Sequence, residues 1–201
     1  MLCEKAAATV QLIDDDEFIL QAHTDLLRSA GLEVRSYNSC AAFLKRYVPG
    51  PRECILSDLR MPQIGGLQLQ KLLLERGWDT PLIFITGHAD VGTAVEAMRL
   101  GAFDYVEKPV HGPRLLERIE AAVEVCFERY QQRQLRSRRE ARLELLTPQE
   151  RRIADLVVDG LSSRAIAELA GLSARTVDNH RARIMDKLHA SSVVEMVRLL
   201  I

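Results

Sequence analysis

Acidic residues, a threonine and a lysine recur where short apolar runs of this chain end. Asp14, Asp15 and Asp16 follow TVQLI (9–13), and Asp58 closes CILSD. Thr86 closes LIFIT (82–86), and Lys108 follows FDYVE (103–107), directly ahead of Pro109. Carboxylates gathered in one place repel one another and ionise together comfortably only beside a cation. A hard divalent ion with octahedral oxygen coordination, Mg²⁺, would relieve that repulsion. Lys108 offers a second positive charge, and Thr86 a hydroxyl donor. Such a set suits phosphoryl transfer to a carboxylate, which attacks phosphorus while cationic groups stabilise charge on the transferred oxygens. Taken singly, the residues have plainer roles, Asp16 as a helix N-cap and Asp58 in a turn. Those roles do not account for acids, Thr and Lys at successive run ends.

For these residues to meet, the apolar runs must be neighbouring strands. TVQLI, LEVRSY (32–37), CILS (54–57), LIFIT and FDYVE alternate with helical patterns over roughly 16–30, 39–47, 66–76, 91–100 and from about 112. Gly31, Pro49-Gly50, Gly77 and Gly101 mark the breaks. Five strands alternating with five helices predict a doubly wound parallel sheet, whose carboxyl strand ends lie side by side and carry the chemistry. Pro62 helps stop the third strand from extending. Gly65-Gly66 lets the next helix start close by.

The rest of the chain has a different character. Residues 1–126 hold 13 Lys/Arg against 18 Asp/Glu, a balance of −5, and residues 127–201 hold 14 against 10, a balance of +4. A long helical pattern from about Leu115, with Ile119, Val123, Cys126 and Tyr130 on one stripe, weakens into QQRQLRSRREARLE. With six arginines from Arg129 to Arg142 and neither Gly nor Pro, this segment reads as a charged helical extension. No strand pattern follows. Thr147, Pro148 and Glu150 predict a capped helix ending near Gly160. A second helix runs from Ser162 or Ser163 to Ala170, Ser173 caps a third through about Leu188, and Ser191 or Ser192 caps a fourth. The second and third, with Gly171 between them, form a helix-turn-helix. Along the third, Val177, Ile184 and Leu188 mark the inner face, and Asp178, Asn179, Ala182, Arg183 and Asp186 point more nearly outward. An α-helix fits the major groove of B-DNA. Arg175, Arg181, Arg183 and Lys187 can neutralise phosphates, Asn179 can meet a base edge, and Thr176, Asp178, His180 and Ala182 are expected at the DNA with them.

The motifs LIDDDE, SDLRMP, ITGHADV and GAFDYVEKPV resemble the receiver domain of two-component response regulators, over about residues 8–125. The resemblance implies a flavodoxin-like sheet with Asp58 as phosphoacceptor. It implies Mg²⁺ held by Asp14, Asp15, Asp58 and the backbone carbonyl of Arg60. Thr86 and Lys108 would contact the phosphoryl oxygens, and the Lys108–Pro109 peptide would be cis. Tyr105 takes the position of the switch aromatic, moving with Thr86 on phosphorylation and reshaping the face between the fourth helix and the fifth strand. The tail, from LTPQERRIADLVVDGLSSRAIAELAGLSARTVDNH onward, is similar to LuxR-type DNA-binding domains. The whole resembles NarL/FixJ-family transcriptional regulators, closer to the FixJ branch through ITGHADV, AVEAM and EKPV. Asp178 stands at a groove-facing position where family members often carry a basic or longer acidic residue, and Ala182 lacks charge; Asp178 could accept from a cytosine amine or merely avoid phosphates, which leaves the operator sequence open.

The expected organisation is a receiver over 1–125, a helical charged linker over 126–142 and a LuxR-type all-α domain over 143–201. Implied partners are a sensor histidine kinase and double-stranded DNA, with an inverted-repeat operator bound by a homodimer of the phosphorylated form. The final helix, SSVVEMVRLLI, presents Val193, Val194, Met196, Val197 and Leu200 on one broad face, part for its core and part for pairing. No apolar run approaches the roughly 20 residues that span a bilayer, and Cys3, Cys40, Cys54 and Cys126 lack metal-ligand spacing. A cytoplasmic, non-enzymatic regulator with reduced thiols is expected. Two alternatives stay open: an Mg²⁺-dependent aspartyl phosphohydrolase, which would also need a substrate pocket and a second acid, and a receiver controlling a protein- or RNA-binding module.

Overall fold

A computed structural model describes residues 8–87 and 90–201; Cys3, and His88 and Ala89 of ITGHADV, lie outside the described residues. The chain divides between Gln131 and Gln132 into two compact units.

In the first unit, strands β1 (Thr9–Ile13), β2 (Glu33–Tyr37), β3 (Glu53–Asp58), β4 (Leu82–Thr86) and β5 (Asp104–Glu107) alternate with helices α1 (Glu17–Ser29), α2 (Cys40–Arg46), α3 (Gly66–Glu75) and α4 (Val91–Arg99), followed by α5 (Gly112–Glu144). The strands form one parallel sheet in the order β2-β1-β3-β4-β5. The order in which successive strands are added reverses between β1 and β3, the switch point at which such sheets hold ligands beyond their carboxyl ends.

Alternation along the strands builds a core on each face. Ile13, Ile55 and Phe84 pack with Phe43, Leu69 and Leu73 of α2 and α3. Val10, Leu12, Leu56, Ile83 and Ile85 pack with Leu27 of α1 and with Leu115, Ile119 and Val123 of α5. Cys54 is fully buried, as a core thiol. Two of the buried polar residues that interrupt this pattern are paired with each other. Glu53 and Gln11 are buried within the sheet, and Gln11 Nε2 donates to Glu53 Oε2 at 2.7 Å. Tyr47 Oη donates to Glu53 Oε1 at 2.6 Å, and Tyr37 Oη to Gln11 Oε1 at 3.0 Å. The carboxylate is thus tied to three donors, with the Gly50 N–H as the third, as a buried acid must be.

Helix α5 continues without interruption through the arginine-rich segment. In the second unit its last turns are held by Arg142 Nη1, which donates to the Leu199 carbonyl at 2.7 Å. Helices α6 (Pro148–Val158), α7 (Ser163–Ala170), α8 (Ala174–Leu188) and α9 (Val193–Leu200) enclose Ile153, Ile166, Val177, Ile184 and Met196. Thr147 and Glu150 form a reciprocal capping box with Pro148 in the first turn of α6, and Ser162, Ser173 and Ser192 cap the next three helices. Gly171 ends α7 at φ +66°, a conformation that glycine adopts without a Cβ penalty. On α9, Met196 and Leu200 are buried and only Val194 of the five apolar residues is well exposed, at 62%. The broad exposed apolar face expected there is therefore narrower, because the small core consumes most of it.

Candidate functional site

The strand ends bring three of the charged residues into contact. Lys108 Nζ donates to Asp14 Oδ2 at 2.9 Å and to Asp58 Oδ1 at 3.0 Å. Asp14 follows β1, Asp58 ends β3 and Lys108 follows β5, so residues 94 and 50 positions from Lys108 meet at one ammonium. Backbone amides orient both acids. Asp14 Oδ1 accepts from Asp16 N at 3.0 Å, and Asp58 Oδ2 from Arg60 N at 2.8 Å. Asp16 is the N-cap of α1, accepting from the amides of Phe18 and Ile19.

Thr86 is buried at the end of β4, and its carbonyl accepts from Lys108 N at 2.8 Å. The Lys108–Pro109 peptide is cis. Tyr105 lies on β5 opposite Phe84, half-buried against the core. Burial, reinforced by the charge of Asp90, raises its phenol above the ordinary value. The turn after β3 is closed by a close approach at Gly66, where a Cβ would stand 2.7 Å from Phe84 Cε1 and 2.9 Å from the Asp58 carbonyl.

Electrostatics at this point favour added positive charge. Burial pushes the Asp58 carboxyl above its ordinary value of 3.8; the Lys108 hydrogen bond and charge and the Arg60 amide oppose this only in part, and Asp14 adds to it. Burial alone would lower the Lys108 ammonium, but its bonds to Asp14 and Asp58 outweigh that and raise it. Asp15 is exposed beside them. Among the described residues no three acidic, His or Cys side chains form a closed cage. The arrangement is instead two converging carboxylates, an exposed third and adjacent backbone. All-oxygen donors in an open site suit Mg²⁺, which keeps several waters and binds through one or two carboxylates.

In the second unit, α8 presents Arg175, Asp178, Asn179, Ala182, Arg183 and Asp186 to solvent while Val177, Ile184 and Leu188 are buried. Other residues expected at the DNA are half-buried, and three of them are paired within the protein. Thr176 Oγ1 pairs with Ser173 Oγ at 2.8 Å, and His180 is half-buried with its Nδ1 shielded. Arg181 Nη1 donates to Ser163 Oγ at 2.7 Å. Lys187 Nζ donates to Glu150 Oε2 at 2.7 Å, and Glu150 retains only 4% exposure. By sequence Lys187 stands as a phosphate contact, and its pairing with Glu150 carries no signal there beyond the capping-box glutamate itself. The same holds for Ser163, since a serine that opens a helix carries no mark of a long-range partner.

Known proteins match both units. The response regulator receiver domain family matches residues 10–120, and the luxR family of bacterial regulatory proteins matches residues 144–200. The transcriptional regulatory protein FixJ of Azorhizobium caulinodans is 42% identical over 94% of this chain and 90% of its own length. The tetrathionate response regulatory protein TtrR of Salmonella typhimurium is 38% identical, covering 95% of this chain and 91% of its own. Among solved structures, the response regulator StyR superposes with a TM-score of 0.82 at 35% identity, over 97% of this chain and 98% of that one. Full-length FixJ from B. japonicum does so at 0.57 and 36%, over 96% and 95%. With strand ends converging on a lysine-bridged acid pair in the first unit and a capped helix-turn-helix in the second, the chain belongs to the FixJ-like response regulators, which join a receiver domain to a LuxR-type DNA-binding domain.

Proposed function

We propose that Asp58 is the phosphoacceptor through which a sensor histidine kinase controls DNA binding by the second unit. A carboxylate oxygen of Asp58 attacks phosphorus, the bond from phosphorus to the donor histidine nitrogen breaks, and an acyl phosphate forms on Asp58. The observation that carries this reading is the single Lys108 ammonium bridging Asp14 and Asp58. It keeps a fixed positive charge 3.0 Å from the acceptor oxygen, where the transferred group must arrive. Asp14, Asp15, Asp58 and the Arg60 carbonyl would hold Mg²⁺, which when bound supplies further charge stabilisation for the phosphoryl oxygens. Asp14 and the Arg60 amide orient the pocket, Lys108 meets the new charge, and the buried Thr86 follows the phosphoryl group.

Movement of Thr86 would be felt along the edge it shares with β5. Thr86 lies opposite Glu107, and Tyr105 two residues earlier packs against the same core. The adjoining α4 carries exposed Val91, Val95 and Met98, a surface suited to pairing two phosphorylated copies. Such a homodimer would favour an inverted-repeat operator, read in the cytoplasm, with half-sites about one helical turn apart. Among the residues of α8, Arg175, Asn179 and Arg183 are free to meet DNA, with Ala182 between them. Selection of DNA fragments bound by the full chain, with and without an acyl-phosphate donor and Mg²⁺, tests the whole reading. Enrichment of one inverted repeat only with the donor is expected; the same enrichment without it would overturn the coupling.

A further inference from the structure

We infer that Asp178 is a specificity-determining residue that accepts a hydrogen bond from the exocyclic amine of a cytosine, and that Ser163 and Arg181 are the residues that position it. This rests on the reading above that α8 enters the major groove. Asp178 is exposed in the N-terminal half of α8, on the face that carries Arg175, Asn179 and Arg183. An acid on a surface that approaches phosphates is repelled unless its charge is offset or used. The structure shows an offset. Ser163 Oγ donates to Asp178 Oδ1 at 2.6 Å, and Arg181 Nη1 donates to Ser163 Oγ at 2.7 Å.

The direction of this relay is fixed by the donor inventory. Guanidinium has no acceptor and an ionised carboxylate has no donor, so the single hydroxyl proton of Ser163 must go to Asp178. The relay crosses from the first residue of α7 to two positions on α8, and it fixes the Asp178 side chain before any ligand arrives. Oδ1 is occupied, and among the described residues Oδ2 has no protein donor. What remains is a preset acceptor with local positive charge behind it.

An acceptor discriminates between bases by what they present in the major groove. Guanine offers N7 and O6, and thymine O4, all acceptors that repel a carboxylate. Adenine offers its N6 amine beside its own acceptor N7, while cytosine offers the N4 amine with no acceptor of its own in the groove, only the paired guanine O6 on one side. Cytosine is therefore the base that Asp178 suits. A bidentate base contact corresponds to roughly 5- to 150-fold preference at one position, and a single bond through Oδ2 belongs at the lower end, roughly 5- to 10-fold.

The test measures binding of the full chain, with an acyl-phosphate donor and Mg²⁺, to duplexes in which every position of its selected site is varied in turn. Wild type is expected to prefer C·G at one position, and Asp178→Ala to lose that preference there while keeping the others. Ser163→Ala should weaken the same preference, and Ser163→Thr, which keeps the hydroxyl, should restore it. Circular dichroism of each variant separates misfolding from loss of readout, and Ser163→Thr keeps the test valid if Ser163→Ala is unstable. If Asp178→Asn raised affinity equally for all duplexes, or Asp178→Ala lowered it equally for all, Asp178 would be a phosphate-repelling or purely structural residue and the inference would fail alone. If wild type bound no duplex in preference to another, the groove-binding reading would fail and take the inference with it.

Discussion

Replacing Lys187 by methionine removes the cationic partner of a carboxylate that has almost no contact with water. Glu150 is held at about 2, against an ordinary 4.5, first by the Lys187 hydrogen bond and then by the Thr147 amide. At about 1.4 kcal/mol per pH unit, that depression corresponds to roughly 3 kcal/mol. The lysine is 36% exposed, so solvent screening reduces its share to about 1–2 kcal/mol. Because the folded value lies below the unfolded one, this contribution is fully present above pH 4.5 and is lost as pH falls through about 2. Tryptophan fluorescence is blind to it, since the single tryptophan, Trp78, packs in the receiver core. Amide exchange across α6 and α8 in wild type, Glu150→Gln, Lys187→Met and the double variant closes a cycle whose coupling should be about 1–2 kcal/mol. Carboxyl titration by NMR should show Glu150 rising towards 4.5 in Lys187→Met. On DNA, the variant should weaken binding while leaving the slope of log affinity against log salt unchanged. A slope smaller by about 0.9 would mean that Lys187 neutralises a phosphate, and with a coupling near zero it would refute the pairing.

Other perturbations probe the receiver. Gly66→Ala forces a Cβ against the Phe84 ring and the Asp58 carbonyl, and overpacking of this kind should cost about 1–3 kcal/mol; the urea midpoint followed by Trp78 fluorescence should fall, and an unchanged midpoint would contradict the close approach. Thr86→Ala should still take up phosphoryl label at Asp58 yet lose most of the phosphorylation-dependent gain in DNA affinity. Equal gain in variant and wild type would remove Thr86 from the coupling.

The strand-end chemistry was legible because short apolar runs bounded by Gly and Pro locate strands well, and a parallel sheet then gathers their ends. Asp14, Asp58 and Lys108 meet for that reason. Helix starts were legible from single residues, as Thr147, Ser173 and the other caps act locally. Partnerships between distant polar residues were not. Gln11 reads as one polar break in TVQLI, and nothing in the pattern announces Glu53, 42 positions away. Lys187 looks like a phosphate contact until its helix is packed against α6, 37 positions earlier. Likewise, apolar residues of α9 divide between core and surface only once the neighbouring helices set the angle, which buries Met196 and leaves Val194 outside.

On the proposed function, one carboxylate, poised by Lys108, receives the phosphoryl group. The most direct measurement incubates the full chain with radiolabelled acyl phosphate and Mg²⁺, counts the label retained by one portion of the protein, and in a second portion reduces the protein's acyl phosphate to the alcohol with borohydride, releasing phosphate, and maps the altered residue by mass spectrometry. Modification at Asp58 in wild type, with no label retained by Asp58→Asn, is expected. Label on Asp14 or Asp15 in wild type, or undiminished uptake by Asp58→Asn, would contradict it.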